Sequence, residues 1–279
     1  MTLFSTTLLS TTVMPLGLGC APDPGYASHH AQTFAACELE PGAPELRAGD
    51  VRLASEGCVD AIADDFGVDL DAMVEADGLP DAYGLVRGDD RVWRSRLGLV
   101  LLNAHALLVG DFGDLDAVEP SLLVSPALID ELEAVSAVTG SRAVGPLLYD
   151  LTASVIRRTK VGHREGARAT FVGRSRTLFV TLGTGDVYVS GGLLVHEARH
   201  LWESHGACPW ARERSCDADI DGAYGFGMSA KLLRGGRVET PAWRAGLRAD
   251  VRQLSHHIAA FNDEEGKLLP WVAEELALD

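Results

Sequence analysis

At 279 residues and 47% apolar composition, the chain is long enough to bury one substantial core. Its formal net charge of −16, with lysine only at Lys160, Lys231 and Lys267, excludes an extended basic surface and therefore a nucleic-acid partner. The acidic residues from Glu38 to Glu133 alternate with apolar positions at helical spacing, so they belong to solvated helix faces.

Residues 1–19 carry no charged side chain and end in Leu16-Gly17-Leu18-Gly19 before Cys20. Residues 1–20 therefore read as an export signal. A small residue directly before a cysteine is similar to the lipobox of bacterial lipoproteins. That resemblance implies cleavage before Cys20 and membrane attachment through its lipidated side chain. Gly17 stands where the lipobox has leucine and no basic residue precedes the apolar run, while Gly17 and Gly19 also suit ordinary secretory cleavage. Both a cell-envelope lipoprotein and a secreted or periplasmic protein stay open. Beyond Cys20 lie Cys37, Cys58, Cys208 and Cys216, an even number suited to an oxidising compartment. Proximity favours Cys37 with Cys58 and Cys208 with Cys216, among three connectivities. A cysteine-rich zinc site is not supported, because no CxxC pair occurs.

Residues 21–50 are rich in Ala, Pro, Gly and Asp without periodicity and read as a tether of low structure. Residues 51–279 form the domain. Val59, Ile62, Ala63 and Phe66 mark a helical stripe, and Leu97 to Leu108 is a strongly apolar helix that contains Gly98. Ser125-Pro126 is an N-cap and first-turn pair for a helix through Val135, and another helix spans Val144 to Arg158. Ala169–Val172 and Thr177–Leu182, separated by Gly173-Arg174-Ser175, predict an antiparallel ribbon, with a further short strand at Val187–Val189. Helix resumes at Gly191, breaks between Ser204 and Pro209, and resumes near Asp217. Thr240-Pro241 opens a long C-terminal helix through Ile258, and Asp263 to Leu278 closes the chain. The fold class is α+β: a mainly helical single domain with a small antiparallel ribbon preceding the helix that starts at Gly191.

That helix carries His196-Glu197-Ala198-Arg199-His200, an HExxH motif. Residues four apart lie one turn up the same helix face, so both imidazoles can address one ion and supply two of the three protein ligands of a catalytic zinc. Glu197 is about 100° around the helix, off the ligand face yet near a zinc-bound water whose proton it can take. The apolar run Leu193-Leu194-Val195 and the following Leu201-Trp202 predict that the helix is buried, where a metal satisfies histidines that would otherwise be costly.

This segment resembles the zincin superfamily of zinc metallopeptidases. Within it, His196 to His200, His205-Gly206-Ala207-Cys208, Cys216-Asp217 and Gly222-Ala223-Tyr224-Gly225 are similar to a group of bacterial exported proteins marked by HEARH, HxxC, CD and GAYG. The match covers Gly191 to Gly225. It implies a Zn2+ cofactor, a peptide or protein substrate and Glu197 as general base; for Tyr224 two roles stay open, a donor to the tetrahedral intermediate, as in several zincins, and a core tyrosine. Arg199 departs from the uncharged residues usual between zincin histidines.

The metzincin pattern places a third histidine six residues after the second, with a glycine between. Here His205 lies five after His200, and Glu203 holds the glycine position. On a continuous helix His205 would point about 180° from His196, so it can ligate only if the helix stops near Trp202 to Ser204. His205 is the expected third ligand. Glu203, Asp217, Asp219 and Asp221 are the alternatives; the three aspartates equally suit a helix N-terminus. His256-His257 and His29-His30 receive no role. The leading reading is a zinc-dependent hydrolase of the cell envelope with metal ligands His196, His200 and His205. The alternative is a zinc-stabilised or metal-free envelope lipoprotein without turnover, acting as an interaction module.

Overall fold

The computed structural model describes residues 56–74, 90–109, 112–162, 169–172, 177–181, 191–202, 218–235 and 241–276. The expected export signal, tether, turn at Gly173 to Ser175 and strand at Val187 to Val189, and Glu203, His205, Cys208, Cys216 and Asp217, lie outside them. The described chain is mainly helical: α1 (Glu56–Phe66), α2 (Leu70–Val74), α3 (Asp90–Val109), α4 (Pro126–Thr139) and α5 (Val144–Ile156) precede three short strands. After them come α6 (Gly191–Trp202), α7 (Ala223–Gly235), α8 (Pro241–Ser255) and α9 (Pro270–Glu275). Among the described residues no helix is long and apolar enough to cross a membrane.

The main core is built from the apolar faces of α1, α3, α5 and α6, with Ile62, Phe66, Leu101, Leu147, Leu148, Leu194 and Val195 buried together. Gly98 is needed where α3 passes α1, because a Cβ there would lie 2.7 Å from Val59 Cγ2. A second, smaller core gathers Met228 of α7 with Val251, Ile258, Phe261 and Val272. Helix α7 thus lies between the two, giving Phe226 and Ala230 to the first and Met228 to the second.

Ser125 caps α4, its Oγ accepting from Leu128 N at 3.2 Å, with Pro126 in the first turn and Gly140 closing the helix at φ 73°. Helix α5 ends two residues short of Arg158, and Thr159 opens strand β1 (Thr159–Gly162). Strand β1 runs parallel to β3 (Thr177–Thr181), which pairs antiparallel with β2 (Ala169–Val172). The sheet is therefore mixed and three-stranded. Four residues directly after a helix are too short to show a two-residue period, which is why β1 does not stand out in the sequence.

The end of the chain also departs from expectation. Helix α8 stops at Ser255, and the segment from Asp263 is a turn before it is a helix. Asp263 Oδ1 accepts from the backbone N–H of Glu265 (2.9 Å) and Lys267 (2.8 Å), and Gly266 takes φ 77°. A side chain that satisfies local N–H groups competes with helix formation, so only Pro270–Glu275 becomes helical.

Candidate metal centre

Helix α6 is enclosed by α5 and α7, with Leu194, Val195 and Ala198 fully buried. Its polar residues are buried too: His196 and His200 are each 8% exposed and Glu197 3%. The one-turn spacing brings the two imidazoles together, with Nε2 of His196 3.3 Å from Nε2 of His200 and the rings at 85°. Two nitrogens bound 2.0–2.1 Å from a tetrahedral zinc lie about 3.3–3.4 Å apart. The donor atoms, their type and their separation fit a zinc ion.

Glycines set how closely α7 approaches this helix. A Cβ on Gly227 would lie 2.8 Å from the carbonyl oxygen of Gly192 and 3.3 Å from His196 Cβ, and one on Gly192 would lie 2.9 Å from the carbonyl oxygen of Gly227. The two helices therefore meet backbone to backbone. Gly225 is equally constrained, since a Cβ would fall 1.7 Å from the carbonyl oxygen of Ile220. This contact lets the turn before α7 fold tightly against its first residues. The result is that Tyr224 stands edge-on to His196, ring centroids 4.7 Å apart at 70°.

Arg199, the unusual residue of the motif, is directed inward. Its Nε donates to the backbone carbonyl of Asp221 at 3.0 Å, and its guanidinium lies 4.5 Å from the centre of the Phe226 ring. The Asp221 carboxylate faces the other way. Its Oδ1 accepts from Ser125 Oγ (2.7 Å) and from Ala127 N (3.0 Å), holding the first turn of α4. Ser125 N in turn donates to Ser229 Oγ of α7 at 2.7 Å. A polar network thus ties α4, α6 and α7 behind the histidines.

The structure brings together His196, His200 and Tyr224, and buries Glu197 on the same helix as the two histidines. His205, Glu203 and Asp217 lie outside the described residues, Asp219 is exposed, and one oxygen of Asp221 is committed to α4. Among the described residues no group of three His, Cys, Asp or Glu side chains converges as a complete metal cage. His257, given no role from sequence, stacks on Tyr224 with ring centroids 4.4 Å apart and planes at 16°. Nothing in its local pattern announces this, because the contact depends on how α8 returns to α7. Comparison with protein-family models, curated proteins and solved structures finds no match, so function rests on this chain's own residues.

Proposed function

We propose that the chain is an exported zinc-dependent hydrolase, a metallopeptidase of zincin type acting on a peptide or protein substrate. The observation that carries this reading is the 3.3 Å separation of the His196 and His200 Nε2 atoms, which matches the spacing of two ligands on one tetrahedral zinc. His196 and His200 would hold the ion, with His205 as the third donor. When bound, zinc supplies a Lewis acid for the scissile carbonyl and lowers the pKa of its water toward about 7. Glu197 would accept the proton of the attacking water; at 3% exposure its side chain is held out of bulk solvent on the helix that carries both histidines. The Tyr224 phenol, against His196, donates to the carbonyl oxygen as negative charge develops there.

Export is supported by Cys58, which is buried and disulfide-bonded, as expected in an oxidising compartment. Membrane attachment in this reading runs through lipidated Cys20.

The test is Glu197→Gln. A peptide-library digestion by the zinc-loaded wild type first supplies a substrate. The variant should keep its zinc while turnover falls by roughly 10² or more, the range for loss of a general base. Cleavage that persists at the wild-type rate in the zinc-loaded variant removes Glu197 from the mechanism. A wild type that takes up no zinc removes the whole reading.

A further inference from the structure

We infer that His257 is a positioning residue of this site, holding the Tyr224 ring against His196. The inference rests on the proposed zinc site for its consequence, although its geometric content stands independently. Three aromatic rings form a continuous column: His196, then Tyr224 edge-on at 4.7 Å, then His257 stacked at 4.4 Å with planes at 16°. Along this column burial falls from His196 at 8% exposed, through half-buried Tyr224, to exposed His257. Tyr224, in the first turn of α7, is half-buried and packs against the second core. A half-buried ring keeps a choice of χ1 and χ2 rotamers, and a ring stacked on it narrows that choice. His257 is stacked on that ring, and offset-stacked ring pairs add an attraction beyond the area they bury.

The backbone that carries His257 is itself fixed. After α8 ends, His257 N donates to the carbonyl of Leu254 at 2.9 Å. Asn262 then reaches back, its Nδ2 donating to the carbonyls of Ile258 (2.7 Å), Ser255 (3.0 Å) and His256 (3.3 Å). One amide thus clamps the turn on both sides of His257. His256, its neighbour, is exposed and held by the same turn, which makes it a matched control. A side chain on a fixed turn, stacked on a ring that touches a metal-ligand candidate, is placed to orient that ring.

Because His257 is exposed, its replacement leaves both cores intact. The experiment uses the full chain with ring-labelled histidine, first without metal, comparing wild type, His257→Ala, His257→Phe and His256→Ala by NMR. Tyr224 edge-on to His196 imposes a ring-current shift on the His196 signals. His257→Ala should move those signals, His257→Phe should restore them because it keeps a stacking ring, and His256→Ala should leave them in place. If His196 does not respond to His257→Ala, the positioning role is wrong. The second readout uses the zinc-loaded proteins and the peptide found by library digestion. His257→Ala should lower kcat on the order of tenfold with KM and zinc content unchanged, less than the 10² cost of a 1 Å misplacement, and His257→Phe should recover most of it. Equal loss in both variants would overturn the stacking argument. A His196 response in a chain that takes up no zinc would keep the ring column and sink the zinc reading, so the two failures are distinguishable.

Discussion

Gly227→Ala separates the His196–His200 pair, the proposed metal ligands, from the residue packed beside it. The added methyl would lie 2.8 Å from the Gly192 carbonyl oxygen, where ordinary contact begins at 3.4 Å, so α6 and α7 must part by the difference, 3.4 − 2.8, or about 0.6 Å. Overpacking of this kind costs about 1–3 kcal/mol. Alanine returns about 1 kcal/mol through its helix propensity. The net destabilisation is therefore about 0–2 kcal/mol, equivalent to a fall of roughly 2–4 °C in Tm per kcal/mol for a domain of this size. His196 and His200 share α6, so their 3.3 Å separation moves with that helix and the pair survives. Tyr224 is on α7 and moves away from His196. The expected outcome is near-normal zinc affinity by chelator competition, a slightly lower Tm, and turnover reduced on the order of tenfold, below the 10² cost of a 1 Å misplacement. Zinc affinity that collapses while the melt is unchanged would refute this, because the ligands would then depend on α7 directly.

Two further predictions concern the core. Asp65 and His105 meet at 2.9 Å with both side chains fully buried, so Asp65→Asn should cost about 2–3 kcal/mol in urea unfolding, between a lost buried hydrogen bond and a broken buried ion pair. The double replacement Asp65→Leu with His105→Leu should recover part of that loss, and equal instability of the two variants would count against a polar origin. Burial, and next the neighbouring Asp65 charge, push the Tyr149 phenol well above its ordinary value of 10.0. A raised folded-state pKa means that stability is full below pH 10 and declines as pH rises from there, since the unfolded chain ionises first. Tyr149→Phe should flatten that alkaline slope in chemical denaturation from pH 9 to pH 11, and an unchanged slope would assign it to other groups.

Periodicity and capping made the large helices legible. Ser125-Pro126 marked the start of α4 because a hydroxyl N-cap and a first-turn proline act locally. The HExxH pair was legible for the same reason: helix geometry alone brings residues four apart together. Strand β1 was hidden by its length and by its parallel partner, Thr177–Thr181, which lies later in the chain. The C-terminal helix is predicted through Ile258, whereas α8 stops at Ser255, where the Asn262 amide donates to the carbonyls of Ser255 and His256. His257 was illegible because its partner, Tyr224, is 33 positions earlier on another helix. Glycines at 192, 225 and 227 were visible as residues, but their meaning is spatial: each removes a Cβ that would strike a backbone oxygen.

Arg199 bears on both the family resemblance and the third ligand. A charged residue between the two histidines of the motif would be unfavourable if it lay in an apolar surround without partners. Here it is 9% exposed, bonded to the Asp221 carbonyl and set over Phe226, so its charge is accommodated by α7 and the turn before it. That bond fixes the main chain at Asp221, while Ser125 and Ala127 hold its carboxylate toward α4. Moving this carboxylate to a metal beside His196 would leave the α4 N-terminus without two of its partners. Asp221 therefore ranks below His205 as the proposed third ligand, and Asp221→Asn should lower stability with zinc affinity nearly retained. A chelator competition in which Asp221→Asn loses zinc as fully as His205→Ala would reverse that ranking and make Asp221 the ligand.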